Sequence, residues 1–541
     1  MDNKLKNINY TYLFILVTVS FLWFILKEHT AYEWPAIDMM PFFERYYDPS
    51  FLINDFFTNA ISNEPNPRWN FGYLIIGLAE LFQAHWYTIS YSIKVILVVI
   101  MPVLYYLVLY IFIGKFINEK KLKNIQILIF LAILIVIHHP TISLIFSIAC
   151  WRPYFVQSTP QTLSLFFGLL AIVLREINLT NKYYKYIPLL LFGASTLIHP
   201  AIGLFVIIFY YIVNYQSVLK NYRQFLYIFL FGFVIPVIFI KIIYAPRVPI
   251  ETSDFIRIYT IENHSYHYHL IDFAALTPFS GIYSFILMTI LLIIPIIYFH
   301  YFKLKNCLIL TYLFLGSFLL AILCQYIFID IFPSKIVASI GPVRFTQFIY
   351  WMIVISWSIM LSNLWLLNKI NFNFNFRKIY FLIIGGGYII IGILMIDSPR
   401  KDIYLQDKEM YKFIEKTEKD SVFTSCIWKL QLNIPNIGKR AVFVGNGFPF
   451  NETYFKEHQK RKSLLYGSKE YLNKIKGKGI AEKMNNFFRQ KSPNDFLNIS
   501  KKYKLDYVVI ESQYSSKFKD YIPRFENDKI KIYKVSDFFH K

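Results

Sequence analysis

What most constrains this chain is the recurrence of apolar runs of about 20 residues, the length needed to cross a hydrocarbon layer ~30 Å thick. Such runs occupy 88–114, 125–148, 158–175, 224–245, 277–300, 307–331, 345–367 and 378–396, and a first one spans 10–26. In 541 residues, 56% are hydrophobic and 19% aromatic, and the mean hydropathy is +0.42. That composition excludes an ordinary soluble protein and predicts a polytopic helical membrane protein. The first run lacks a small-residue cleavage site and leads into Lys27 and Glu28, so it reads as a span rather than a cleaved signal.

The distribution of Lys and Arg orients the chain, because basic residues are retained on the cytoplasmic side. Lys4 and Lys6 place the N-terminus inside and the loop after the first span outside. The stretch 71–86 is short for a crossing and carries Glu80, Gln83 and His85. If it crossed, Lys115, Lys120, Lys121 and Lys123 would fall outside. It therefore reads as an amphipathic helix at the outer interface, with an apolar face of Phe71, Leu74, Ile75, Leu78 and Phe82. The block 187–214 is bounded by basic residues and interrupted by His199-Pro200, which predicts two short helices. The result is an all-α membrane domain of about eleven transmembrane helices plus an interfacial helix, over residues 1–396. The first external loop (28–87) holds the amphipathic helices, and a second external loop covers 246–276. Residues 397–541 are Lys-rich and lack spanning runs, and they read as an α/β domain outside the membrane. Helices are expected at 404–417 and 493–504, and strands at SVFTS, RAVFVG, DYVVIES and KIKIYKV.

The net charge of +22 points to cytoplasmic loops and to contact with anionic membrane lipids. No basic-aromatic motif for nucleic acid occurs. Four scattered cysteines form neither a disulfide framework nor a zinc pattern, and the sequence contains no phosphate-binding loop and no dinucleotide fingerprint. Chemistry must come from elsewhere, and the first external loop is the densest cluster of acids before the tail domain. Glu33, Asp38, Glu44, Asp48, Asp55 and Glu64 lie there. Pro35 can open a helix with Asp38 in its first turn and Glu44 further along, and Pro49 and Pro65 break the chain. A carboxylate in such a loop suits general-base chemistry, and equally it can be a solvated acid. Asp38 is the candidate catalytic acid, with Glu44 and Asp48 behind it.

Ionisable side chains near membrane depth are costly and therefore informative. His138 and His139 precede Pro140, and His199 precedes Pro200, so each can either bind substrate or satisfy carbonyls freed by a kink. Arg152 in WRPYFVQSTPQ and Arg344 in SIGPVRFTQF are expected at the outer membrane surface. There an arginine either snorkels to headgroups or grips a phosphate with its planar fork. IENHSYHYHL supplies His264, His267 and His269, which suit phosphate hydrogen bonding or plain surface exposure. A divalent metal, with Glu262 completing the shell, stays open, although the spacing matches no standard metal motif.

The layout resembles the C-type glycosyltransferase superfamily, polytopic enzymes that use lipid-linked sugars. The resemblance rests on Asp38 soon after span one, followed by the break and interfacial helix EPNPRWNFGYLIIGLAELF, and on the external tail domain. More narrowly, the chain resembles a group of bacterial membrane proteins of this architecture. The pieces that match are ERYYDPSFLINDFF, the HHP and HP kinks, STPQTLSLFFGLLAIVLRE, NHSYHYH, KRAVFVGNGFPF and YKLDYVVI. It departs from the superfamily at Met39, where a second acid is frequent. The resemblance implies an enzyme of the bacterial cytoplasmic membrane, with its N-terminus cytoplasmic and its tail domain outside. Its donor would be a polyprenyl-phosphate sugar held by Arg344, Arg152 and the loop histidines, and the sugar would be transferred with inversion by Asp38. A flippase for lipid-linked saccharides and a non-catalytic protein of envelope assembly are the competing readings.

Overall fold

In the computed structural model the described residues are 8–27, 36–138, 145–146, 159–177, 186–268, 281–367, 407–445, 447–468 and 480–540. The expected last span (378–396), the turn holding Arg152, and residues His139 and His269 lie outside them. The chain divides into two compact units. The first is Met1–Glu33, Gly77–Ile243 and His264–Pro399, and the second is Trp34–Ile76, Tyr244–Asn263 and Arg400–Lys541.

The first unit is helical. Among the described residues five helices are long and apolar enough to cross a membrane: Trp86–Ile113, Tyr222–Ile243, Ile282–Tyr301, Lys305–Ile331 and Lys335–Leu364. Tyr10–Lys27, Glu119–His138 and Pro160–Glu176 accompany them, so the protein is a multi-pass membrane protein. The predicted break is present as two helices, Ile187–Ile198 and Pro200–Val213. His199 sits between them with extended backbone and caps the second, its Nδ1 accepting from Ile202 N at 3.5 Å. In lipid no hydrophobic effect pulls helices together, so association rests on close approach and hydroxyl hydrogen bonds. Both are visible here. Ser164 Oγ donates to Ser195 O at 2.7 Å and Ser195 Oγ returns a bond to Ser164 O at 2.8 Å. Thr196 Oγ1 donates to Gly232 O at 2.6 Å. A Cβ on Gly203 would stand 2.6 Å from Thr196 Cα, a clash with backbone that no rotamer relieves. At one end of the bundle Lys115 Nζ pairs with Glu176 at 2.7 Å and also bonds Asn214, tying three helices. Helix Tyr222–Ile243 instead leaves Leu226, Phe231, Ile235, Ile238 and Ile242 exposed, an apolar flank suited to lipid.

The second unit is built on a five-stranded sheet of order β2-β1-β3-β5-β4: β1 Val422–Ser425, β2 Ala441–Val442, β3 Tyr507–Glu511, β4 Phe525–Glu526 and β5 Ile530–Lys534. β1 runs parallel to β2 and β3, and β5 is antiparallel to β3 and β4. Alternation along the strands feeds two cores, as it must when both faces are covered. Val422 and Val508 enter one with Leu465, Phe488 and Phe496, while Phe423 and Val509 enter the other with Met410, Ile414 and Leu430. The expected strands are found, with RAVFVG reduced to the two residues of β2, and the expected helices are shorter, Lys408–Lys416 and Pro493–Ser500, with 404–406 outside the described residues. Helices Trp428–Asn436, Phe455–Tyr466 and Ile480–Arg489 are additions.

The acid-rich loop belongs to this same unit and is folded. It forms helices Ala36–Tyr47 and Phe56–Ser62, and Asp55 joins the second to the sheet. One Asp55 oxygen accepts from Thr58 N (2.6 Å) and Thr58 Oγ1 (2.7 Å), and the other accepts from Val442 N at 2.8 Å. β2 is an edge strand. The next residue, Phe443, donates its N–H inward to Phe423 O at 2.9 Å, which leaves the Val442 N–H facing away from the sheet, and the carboxylate supplies its acceptor. Arg45 closes the intervening turn through Phe51 O, Leu52 O and Asn59. Phe57 lies so close to Gly447 that a Cβ there would be 2.3 Å from its ring. The helix expected at 71–86 is Trp69–Leu81, thirteen residues and too short to span. It buries Phe71, Ile75 and Ile76, whereas Phe82 is exposed. Phe82 falls past the helix end, where Gln83 turns with a φ of 48°.

Asp55→Ala removes a helix cap and leaves a buried N–H without its acceptor, which together should destabilise the second unit by about 2–4 kcal/mol. Pulse proteolysis of residues 400–541 in the solubilised protein measures it. In the first unit, Gly203→Val should abolish the yield of folded protein in detergent. Gly77→Ala, with nothing within 4 Å of the added carbon, should raise the melting temperature slightly through helix propensity.

Candidate functional site

A buried arginine in the first unit offers the clearest built site among the described residues. Helix Lys335–Ile340 ends at Gly341, whose φ of +64° a side chain would resist, and Pro342 opens a tight helix Pro342–Phe348 that runs into Ile349–Leu367. A Cβ on Gly341 would also lie 3.0 Å from Arg344 Nε. With three residues per turn, positions three apart share a side. Phe345 and Phe348 form one side, their rings 5.7 Å from Phe205 and 5.0 Å from Phe209. Arg344 and Gln347 form another. Arg344 is only 9% exposed, so it does not snorkel to headgroups: the seating of the two phenylalanines turns it into protein. Its Nη2 donates to Tyr268 Oη at 3.5 Å, and Tyr268 Oη donates to Ala338 O at 2.8 Å. Gln325, from helix Lys305–Tyr326, accepts from Val343 N at 3.5 Å.

The NHSYHYH segment thus reaches the SIGPVRF segment through its tyrosine, a residue the sequence reading passed over for the histidines beside it. His264 and His267 lie on the same turn with rings stacked at 6.0 Å, both half-buried. Glu262 is engaged elsewhere: its carboxylate takes Arg257 Nη1 at 3.0 Å, and Arg257 also holds Asp254 at 2.8 Å. Among the described residues no group of three or more His, Cys, Asp or Glu could hold a metal ion. Gln325 and Gln347 were also missed. The only signal for Gln325 in the sequence is an amide inside the apolar run LLAILCQYIF.

The other sequence candidates have separate places. His199 performs the capping described above. Asp38 lies in the first turn of helix Ala36–Tyr47, as expected, and His138 closes Glu119–His138; the side chains of both are outside the described residues. Glu44 is half-buried on the same helix as Asp38. Asp48 is exposed and caps its own turn, accepting from Ser50 N (2.9 Å) and Ser50 Oγ (2.6 Å), with Lys419 Nζ at 3.8 Å. The Ser50 hydrogen bonds hold its carboxyl below the usual range, which makes it a weaker base. Burial pushes the carboxyl of Asp55 the other way, opposed by the Val442 and Thr58 donors. Tyr268→Phe leaves Ala338 O without its donor and loosens Arg344. The expected cost is about 1 kcal/mol of stability, read as a lowered melting temperature in detergent.

No family model matches the sequence, and no curated protein does either. Solved structures similar to the chain are those of the Archaeoglobus fulgidus oligosaccharyltransferase. The apo form gives a TM-score of 0.43 at 14% identity, covering 94% of this chain and 70% of that one. AglB from the same organism, in complex with an inhibitory peptide and a dolichol-phosphate, gives 0.42 at 14% identity, covering 93% and 69%. The form tethered to an acceptor peptide with the NVT sequon gives 0.44 at 13% identity, covering 94% and 70%.

Proposed function

We propose that this protein is a membrane glycosyltransferase that moves a sugar from a polyprenyl-phosphate carrier to an acceptor hydroxyl on the outer face of the bacterial cytoplasmic membrane. The observation that carries the reading is Arg344, a buried arginine at the start of a spanning helix, oriented by Tyr268. The planar fork of a guanidinium held inside the protein matches the oxygens of a phosphate. The apolar helices around it suit a substrate that stays in the bilayer.

In this reading Arg344 binds the carrier phosphate. As the bond between the anomeric carbon and the phosphate oxygen breaks, the arginine stabilises the charge that develops there. An acceptor hydroxyl attacks the anomeric carbon from the opposite side, inverting its configuration, and its proton passes to a carboxylate, for which Asp38 is our assignment. The products are the glycosylated acceptor and a polyprenyl phosphate. Arg152, His264, His267 and His269 are assigned to phosphate or substrate contacts. No metal enters this scheme.

The test is sugar transfer by the purified protein in nanodiscs against a panel of polyprenyl-phosphate sugars, with Asp38→Asn and Arg344→Ala beside the wild type. Turnover should fall by at least 100-fold in each variant, the scale of removing a general base or an oxyanion donor. Turnover that survives Asp38→Asn moves the base to Glu44 or Asp48. Absence of turnover with every donor, together with movement of lipid-linked saccharide across the bilayer, would replace the enzyme by a flippase.

A further inference from the structure

Gln325 and Gln347 are 5% and 8% exposed, and the amide nitrogen of each is buried without a hydrogen-bond partner. Buried polar atoms are almost always satisfied, and each unmet donor is destabilising. One such donor is on the Arg344 segment itself and the other is on the helix hydrogen-bonded to that segment. Gln325 is fixed by its carbonyl oxygen, which accepts from the N–H of Val343, the residue before the arginine. Gln347 stands one tight turn after Arg344 and on the same side of that helix, since Phe345 and Phe348 take the side against Phe205 and Phe209. In Gln325 the acceptor half of the carboxamide is already used, so what it offers is N–H. Neutral donors flanking a guanidinium fit an oxyanion and not a cation or an apolar group. Ile322, one turn before Gln325 on the same face of its helix, lines an apolar groove of about 570 Å³ with Phe285, Gly316, Leu319, Leu323 and Tyr326. Its walls come from helices Ile282–Tyr301 and Lys305–Tyr326, and its lining suits a hydrocarbon chain.

We infer that the carboxamides of Gln325 and Gln347 donate to the same phosphoryl oxyanion as Arg344, and that this oxyanion is the headgroup of a lipid whose chain begins in the groove at Tyr326. The inference rests on the proposed role of Arg344, but it assigns donors and a chain path that this role does not require.

The experiment is binding of a long-chain polyprenyl monophosphate to the full-length protein in detergent, read by native mass spectrometry and by the melting shift the lipid induces. Inorganic phosphate is the second probe. Wild type, Arg344→Ala, Gln325→Leu, Gln347→Leu and Gln325→Glu are compared. Each Leu variant should weaken lipid-phosphate binding about tenfold or more, the worth of one hydrogen bond to a charged group. Without lipid, the melting temperature of Gln347→Leu should be unchanged or higher, because an unmet buried donor is gone, and a merely structural Gln347 would do the reverse; Gln325→Leu also strands the Val343 N–H and is therefore read by lipid binding alone. Gln325→Glu should weaken binding further by setting a carboxylate against the phosphate. If both Leu variants bind like wild type while Arg344→Ala does not, the arginine reading stands and this inference falls. If the wild type binds no lipid phosphate, both fall. An equal melting shift with inorganic phosphate alone would overturn the lipid assignment.

Discussion

The second unit depends on one buried carboxylate. Asp55 caps a helix of the acid-rich loop with one oxygen and accepts from the edge strand β2 with the other. A loop between two spans and a domain more than 380 residues later in the chain are thereby one folded body. The surroundings are arranged for that bond. Arg45 holds the turn before it, Asn54 donates to Asp420 O at 2.9 Å, and Asn451 donates to Pro65 O at 2.8 Å. Glu64 pairs with Arg247 of the second loop at 3.0 Å, and Asp254 of that loop with Lys456 at 2.8 Å. The exposed pairs contribute little individually. The buried Asp55 is different, since losing it strands donors that water cannot reach.

The first unit answers a different solvent. Lipid offers no hydrogen bonds and no hydrophobic drive between helices, so the bundle uses glycines, hydroxyls and a proline break. Gly203 lets two helices meet at backbone distance, Gly232 makes room for the Phe192 side chain, and the Ser164–Ser195 and Thr196–Gly232 bonds consume polar groups that would otherwise face hydrocarbon. Larger aromatics then stack in the interior, as Tyr105 does on Trp351 at 4.2 Å. The same logic shapes the Arg344 segment. Two phenylalanines anchor one side of a tight helical turn, and Arg344 and Gln347, each one residue before a phenylalanine, share another.

Much of this was legible from the chain. Apolar runs gave the five spanning helices found among the described residues, His199-Pro200 gave the broken pair, and alternation in DYVVIES and KIKIYKV gave β3 and β5. The candidate site was legible only in fragments. Arg344 and the NHSYHYH run were singled out for charge and for histidine density, but the atom that links them is the hydroxyl of Tyr268. Gln325 and Gln347 carry no charge and sit in ordinary apolar context, so nothing local distinguished them. Among the acids, counting could not separate the exposed Asp48 from the buried Asp55, because burial depends on what strand β2 brings against the loop.

By itself the sequence determined which segments are apolar enough to span a membrane and where the broken helix pair and the main strands form, because hydropathy, proline placement and residue alternation act over a few residues. Only the tertiary structure decided which acid is a structural acceptor, and that Trp34–Ile76, Tyr244–Asn263 and the tail form one unit. It alone put an arginine, a tyrosine and two unmet amides around one turn of helix. Those outcomes depend on contacts between residues tens to hundreds of positions apart, and no local pattern encodes a hydrogen bond from Val442 to Asp55 or from Arg344 to Tyr268.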